Sequence, residues 1–449
     1  TKNQVFNNLI SENTFGVLFD HSVSNTIENN DILSNIQYGI WLNDSHDNTI
    51  YKNNVGSNAI DGIIFNVCDN NEVYENHIWE NGRGIHILES DKNTFNGNNI
   101  TSNTNTGIRL DESDSNNIRD NEINKNYMGV ILQIDSSHND IIKNIILKNK
   151  HYGIFLQSSQ QLSCGYNKIR CNTIQNNADG ILFINGLKNT LSTNNISYNY
   201  NHGIELNGCH ENEIYGNSIV KNQRGINLHC FSLNNKLYHN NIIDNSIWQA
   251  QSASFDYWDD GSEGNYWSDY ELRYCPGATN NNIVWDTPYV VPNANWKDEY
   301  PLVNEWIGKA LICCNGTMNF RGEPGSTFTG SFTIYNCGDD CSMLDWVITE
   351  SPPWGDWTFT PSAGDDLYPE DGEVTISVSV AAPNQPNQQF SGQITVCNKN
   401  DPTNCCNITA NLATPKNKAI NTMPLFLRFL ENHSYLFPVL RQLLGIIDY

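Results

Sequence analysis

Long apolar runs are missing from this 449-residue chain. Nowhere do 18 hydrophobic residues follow one another, which excludes a conventional membrane-spanning helix. Basic residues are scarce too. Lys and Arg total 25 against 49 Asp and Glu, and the net charge of −24 leaves no basic stripe for nucleic acid. Charge of either sign is thin, at 16% of residues. The acidic balance favours solubility and divalent cations at the surface. There are 13 cysteines, yet no C-x-x-C pair and no C-x-x-C-H, so haem and zinc-ribbon readings lack their signatures. Their clustering toward the C-terminus, with Cys337, Cys341, Cys397 and Cys405 as candidates, reads as disulfides in an oxidising compartment; buried free thiols are the alternative. The odd count leaves at least one thiol unpaired or bonded outside the chain.

What the chain does have is a repeat. Residues 1–245 carry N-x-φ-x-x-N-x-φ-x-x-N, three or four residues, then G-[IV]-x-φ, with the first Asn at Asn3, Asn25, Asn48, Asn71, Asn93, Asn116, Asn139, Asn167, Asn189, Asn212 and Asn235. The step is 22 or 23 residues, with one of 28 before Asn167. So strict a period denotes a solenoid. Apolar residues five apart, such as Ile50 and Val55, fit no helix face, and the intervening Asn, Gly, Ser and Thr are poor helix formers. Leucine-rich repeats need an apolar return segment that is absent. One coil of very short strands per repeat fits, with an Asn at each corner to tolerate left-handed geometry and to form ladders up a stack spaced at about 4.8 Å. The repeat resembles the right-handed parallel β-helix family. The predicted fold class is all-β: about eleven coils over residues 1–250, then further modules. Thr1 begins inside a repeat, so a fragment of a longer precursor, or another element covering that end, is expected.

Val17 and Phe19, Ile40 and Leu42, Ile63 and Phe65, and Ile85 and Ile87 are the predicted core columns. The position between them points outward and reads Leu18, Trp41, Ile64, His86, Arg109, Ile131, Phe155, Leu182, Glu205, Asn227. Such an apolar, aromatic outward column is unusual where polar residues should meet water. It reads either as a binding face, with Trp41, His86, Arg109 and Phe155 as contacts suited to sugar rings, or as a surface covered by a loop, the C-terminal region or another subunit. Asp111, Glu112 and Asp114, with Glu89, Asp91 and Asp135 on neighbouring coils, are the weak catalytic candidates. Carboxylates on adjacent coils suit acid–base work on a glycosidic bond, or Ca²⁺, and otherwise are solvated turn formers. No cofactor beyond that Ca²⁺ is expected. The Asp-rich signatures of polygalacturonases and the Asp-Pro-His-Asp motif of alginate epimerases are absent.

The 28-residue step holds an insertion at Gln157–Cys164, with Cys164 and Cys171 as a candidate staple. Cys68 and Cys209 take the corner position that is Ser45, Ser90, Ser113 and Ser136 elsewhere; a Cys209–Cys230 bridge is a further candidate.

After Asn245 the composition changes. Asn265-Tyr-Trp-Ser-Asp-Tyr270 and later Trp285-Asp-Thr-Pro-Tyr289 resemble the end of NosD-type β-helix proteins, including archaeal cell-surface ones. The acidic loop expected between these motifs is missing, which puts a calcium site there in doubt. The copper implied by the family finds no His, Met or Cys cluster in this segment. In segment 251–309, Trp258, Tyr266, Trp267, Tyr270, Trp285 and Tyr289 should form a lid over the last coil. Residues 310–414 alternate with period two along Thr327–Tyr335, Glu373–Val380 and Gln389–Val396, predicting about seven strands in an antiparallel sandwich. Leu344-Asp-Trp-Val-Ile348 and Pro353-Trp-Gly-Asp-Trp357 resemble BACON-type immunoglobulin-like domains, which implies a spacer or a binder of carbohydrate. The apolar tail 415–449 predicts two brief helices near Pro424 and Pro438 that dock on a partner or a lipid surface. Of six N-x-[ST] sequons, Asn315 and Asn407 in the sandwich are the candidate glycan sites.

Three functions compete: a structural or adhesive protein of the cell surface, attached to envelope components or to its own copies through the tail; a polysaccharide lyase or epimerase dependent on Asp111 or Glu112; and a non-catalytic glycan binder. The first needs no feature the sequence lacks, and no catalytic signature supports the second.

Overall fold

The computed structural model describes residues 2–159, 164–229, 231–294 and 296–415. The chain divides into two compact units, Thr1–Gly308 and Lys309–Tyr449.

The first unit is a parallel β-helix. Each coil gives one short strand to each of three parallel sheets of twelve, twelve and eleven strands, as Thr49–Tyr51, Asn54–Gly56 and Asp61–Asn66 do in one coil. Stacking is in register, so Val5, Ile27, Ile50 and Val73 lie one above another. The predicted core columns hold: Ile40, Leu42, Ile63, Phe65, Ile85 and Ile87 are all fully buried.

Three asparagine ladders run inside the corners. In Asn121, Oδ1 accepts both the backbone N–H and the side-chain N–H of Asn98 at 2.9 Å; its own N–H and Nδ2 donate to Oδ1 of Asn144 at 3.0 Å, and Nδ2 also donates to the Phe95 carbonyl at 2.9 Å. Only an amide supplies acceptor and donor together here. The expectation that these asparagines adopt left-handed geometry is corrected. The residue before each one does so: Lys52 (φ 55°), Glu75 (54°), Asp120 (54°) and Lys143 (56°) precede Asn53, Asn76, Asn121 and Asn144. The sequence signal was the side-chain ladder, and the strained position accepts many residue types. The repeat glycine has a separate cause: a Cβ on Gly39 would stand 2.6 Å from the carbonyl oxygen of Gly62 in the next coil.

A fourth, partial ladder uses hydroxyls and thiols. The N–H of Ser45 reaches Sγ of Cys68 at 3.4 Å, and that of Cys68 reaches Oγ of Ser90 at 2.8 Å. Cys209 plays the same part, accepting from Gly186 at 3.3 Å. The proposed staple fails: Cys171 is disulfide-bonded, but Cys164 is a free thiol, buried, and Cys209 is free as well. Cys164 lies at the corner with Sγ donating to the Gln157 carbonyl at 3.4 Å, so it belongs with Cys68 rather than with a cross-link. Cys230 and the middle of the insertion lie outside the described residues.

Each amide ladder ends on an acceptor that need not donate onward through the stack. Asn235 donates to Asp256, Asn245 to Gln249, and Asn240 to Asn265, whose N–H donates to Asp298 at 2.8 Å. Asp298 also accepts from Trp267 Nε1 at 2.8 Å and from the Tyr300 N–H at 3.1 Å; burial pushes its carboxyl up to about 7. Gly264 must be glycine, because a Cβ there would lie 1.8 Å from Oδ1 of Asp298. Around this carboxyl the expected lid forms. Trp258, Trp267, Tyr270, Trp285 and Tyr289 are buried in continuity with the coil core, Trp267 stacking on Tyr289 at 3.9 Å and Tyr270 on Trp285 at 4.9 Å; Tyr266 is half-buried.

The second unit is a β-sandwich of four- and five-stranded sheets. Nine strands form rather than about seven, because short segments such as Met318–Arg321, which pairs parallel to Cys405–Thr414, carry too little alternation to read. Disulfides join Cys313 to Cys337, Cys314 to Cys406 and Cys397 to Cys405; Cys341 is also disulfide-bonded. Asn315 and Asn407 are exposed. The predicted tail helices lie outside the described residues.

Replacing a mid-ladder amide should be costly. Asn121→Asp puts oxygen against the Phe95 carbonyl and Asn144 Oδ1, and should lower stability by about 3 kcal/mol or more. Asp256→Asn keeps the terminal acceptor and should cost under about 1 kcal/mol. Guanidinium unfolding midpoints of the two variants check this.

Candidate functional site

The outward face of the third sheet collects the chemistry. Three columns line it. The central one is the column read from sequence. A second is the residue before each repeat glycine: Phe15, Tyr38, Asp61, Arg83, Thr106, Met128, Tyr152, Asp179, His202 and Arg224. The third follows two residues after the central one and includes Asp111. Register puts His86 beside Arg109, and Arg109 beside Ile131.

Four zones follow along the axis. Phe15, Tyr38 and Trp41 form an aromatic patch, with Trp41 edge-on to Phe15 at 4.9 Å and to Tyr38 at 5.5 Å. Trp41 Nε1 is buried without a hydrogen-bond partner among the described residues. Next comes an ionic cluster. Arg83 donates to Asp61 through Nε at 2.5 Å and through a terminal nitrogen at 3.1 Å; Nε2 of His86 lies 3.0 Å from Oδ2 of Asp111, its Nδ1 lies 3.7 Å from Asp61, and Arg109 Nε donates to the same Asp111 oxygen at 2.7 Å. Asp61, His86 and Asp111 are all buried, while Arg109 is about a quarter exposed (side chain 26%). A third zone is apolar: Ile131, Phe155 and Leu182 with Met128 and Tyr152, Phe155 stacking on Tyr152 at 5.1 Å. A second polar cluster closes the face. Nδ1 of His202 lies 3.0 Å from Asp179 and 3.3 Å from Glu205, and Nε2 of His229 lies 2.5 Å from the other Glu205 oxygen.

Of the sequence candidates, the fold brings His86, Arg109 and Asp111 together. It separates the acidic trio: Asp111 faces the strip, Glu112 is exposed at the corner with φ 49°, and Asp114 caps the backbone N–H of Ser137 at 2.6 Å as a turn residue. Trp41 and Phe155 sit five coils apart on the same face. Asp61, Arg83, Asp179 and His202 escaped the sequence reading. Their signal was present in the position preceding the repeat glycine, which joins the outward face and was left unread.

Electrostatics tie the first cluster together. Burial disfavours the charged imidazole of His86, but Asp111 and Asp61 outweigh it and raise the ring above its ordinary value. Burial likewise works against the Asp111 carboxylate, and the bonds from His86 and Arg109 prevail and lower it.

The family model described as "Periplasmic copper-binding protein (NosD)" matches residues 1–106 and 90–272. The chain belongs to the NosD family. Among curated proteins none matches the sequence. Solved structures of similar coil architecture include the A-module of the mannuronan C-5 epimerase AlgE6 from Azotobacter vinelandii (13% identity, 60% of this chain and 84% of that one, TM-score 0.49). Others are a double mutant of the periplasmic alginate epimerase AlgG (16%, 58% and 73%, 0.43) and the Dettilon tailspike protein (13%, 84% and 87%, 0.45). A NosD chain's periplasmic setting agrees with the disulfides, and among the described residues no helix is long and apolar enough to cross a membrane.

The copper in the family's description can be tested against the residues. Segment 256–302 has no histidine or methionine and a single cysteine, Cys275. The second polar cluster does fit: ligand atoms of Asp179, His202 and Glu205 lie within 4.8 Å of one another, and imidazole with carboxylate is a donor set that divalent copper or zinc accepts.

The His86–Asp111 pair gives a pH prediction. A raised imidazole contributes stability that is complete below its ordinary value near pH 6.5 and is lost as pH rises through the raised one. A lowered carboxyl contributes stability complete above about pH 3.9 and lost as pH falls through the lowered one. The stability gap between wild type and His86→Gln should therefore be widest between about pH 4 and 6.5 and narrow on both sides by on the order of 1 kcal/mol. Melting curves across pH check it; a gap that does not vary with pH rejects the ion pair.

Proposed function

We propose that this NosD-family protein works at the cell exterior as an adhesive rod that holds an extended glycan along the outward face of its third sheet. The observation that carries this is the alternation, in register on one face, of ring platforms with hydrogen-bonding clusters: Trp41 with Tyr38, then His86, Arg109 and Asp111, then Phe155 with Tyr152. Rings that offer an apolar face beside polar groups suit the alternating apolar and hydroxylated surfaces of sugars. Buried Oδ1 of Asp111 and Nε1 of Trp41 have no partner among the described residues, leaving an acceptor and a donor for hydroxyls. The ligand is better neutral than acidic. Arg83 and Arg109 are already paired with Asp61 and Asp111, and the net charge of −24 repels a polyanion. The sandwich and the tail supply attachment to the envelope or to other copies.

One observation favours a second reading, a polysaccharide-active enzyme. His86 stands between two buried carboxylates next to a partly exposed arginine, an arrangement able to exchange a proton with a bound sugar.

A glycan array probed with wild type, Trp41→Ala and Phe155→Ala separates the possibilities. Each substitution should weaken binding roughly tenfold through lost ring contact. Binding that survives both substitutions together rejects the face. Turnover of any bound glycan that His86→Ala abolishes would establish the enzymatic reading instead.

A further inference from the structure

We propose that Asp179, His202 and Glu205 form a binding site for one divalent transition-metal ion of the copper or zinc class. The proposal is independent of what the aromatic zones bind.

Geometry comes first. Nδ1 of His202 lies 3.0 Å from Oδ1 of Asp179 and 3.3 Å from Oε2 of Glu205. Ligand atoms about 2.0–2.2 Å from a shared ion stand roughly 3.0–3.5 Å apart, so these contacts match edges of a coordination polyhedron. Proton counting comes second. A neutral imidazole carries one N–H and both neighbours are acceptor-only carboxylates, so a single hydrogen on Nδ1 is at best shared between the two contacts. A cation satisfies both.

The charge balance distinguishes this cluster from the first. There, two carboxylates are neutralised by Arg83 and Arg109. Here the arginine in register with His202, Arg224, turns away to Asn201 and Gln223 and lies over the Trp248 ring at 5.0 Å. Among the described residues no arginine or lysine pairs with Asp179 or Glu205, whose partners are histidines, the His202 backbone N–H at 3.0 Å and the Asn227 amide at 3.5 Å, and a divalent ion would supply the missing positive charge. His229 Nε2 holds the second Glu205 oxygen and so orients the carboxylate, and its side chain is 41% exposed, giving an ion a path of entry. Ring nitrogens select against Ca²⁺ and Mg²⁺, which take oxygen.

The test is calorimetric titration of the metal-free full chain with copper(II) or zinc(II) chloride, with electron paramagnetic resonance of the copper form. Wild type should bind one ion with nitrogen hyperfine structure. His202→Ala and Glu205→Gln should each weaken that event by at least about 100-fold, while His86→Ala on the same face leaves it unchanged. Unchanged melting curves show the variants folded; Glu205→Gln, nearly isosteric, keeps the test valid if His202→Ala does not fold. Equal binding by wild type and both variants overturns the proposal. So does loss of the ion on substituting the exposed His21 and the half-buried His46, which face Asp44 at 3.2 and 3.4 Å.

Discussion

Everything in the first unit depends on one side chain doing two jobs at a corner. A ladder asparagine accepts two N–H bonds from the coil before it and gives two to the coil after it, as Asn53 does between Asn30 and Asn76. A corner turned inward strands backbone donors and acceptors away from water, where each unsatisfied group costs about 1–3 kcal/mol. The amide satisfies them and fixes the register between coils at the same moment. The isoleucine columns then add burial, but they specify only which face is inside. Serine would accept without spanning both neighbours in this way, and aspartate would repel the carbonyl. Hence aspartate is found where the stack stops, at Asp256 and Asp298, and glutamine at Gln249.

Because the inside is specified so fully, the outside is released. Outward positions of the third sheet carry Trp, His, Arg, Phe and Glu with no effect on coil closure, and the residue before a ladder amide is Lys, Glu, Asp, Ser, Asn, Thr, His, Tyr, Cys or Gly with equal indifference. The chemistry therefore gathers where the fold makes no demand. Two ionic clusters on one face have opposite characters, one closed on itself by arginines and the other short of positive charge.

This division also explains what could be read from the chain. The coil count, the core columns and the aromatic lid were legible, since each is a repeated or concentrated pattern. The three central contacts His86, Arg109 and Asp111 were individually visible, but their partners Asp61 and Arg83 were not: Asp61 stands 25 to 50 residues away from them in sequence and meets them only through register, and Arg83 belongs to the unread column before the repeat glycine. Asp179 and His202 were missed because the column before the repeat glycine went unread; Glu205 stood in the outward column but gave no sign of neighbours that meet it from two adjacent coils. Cys164 misled because a cysteine beside an insertion suggests a bridge, whereas its column identity appears only once the coils are stacked. Short strands of the sandwich were lost because three or four residues carry almost no periodicity.

The coil with 28 residues shows how much freedom this arrangement leaves. Across it the amide bonds still run unbroken from Asn139 to Asn167, Asn144 to Asn172 and Asn149 to Asn177. The extra residues enter after strand Tyr152–Gln157, at the margin of the outward face of the third sheet, and the stack does not register their presence. Lengthening a corner is thus uncoupled from building the rod. A protein made this way can acquire a new recognition loop next to an existing face in a single insertion, and can lose it again, without its core ever being redesigned.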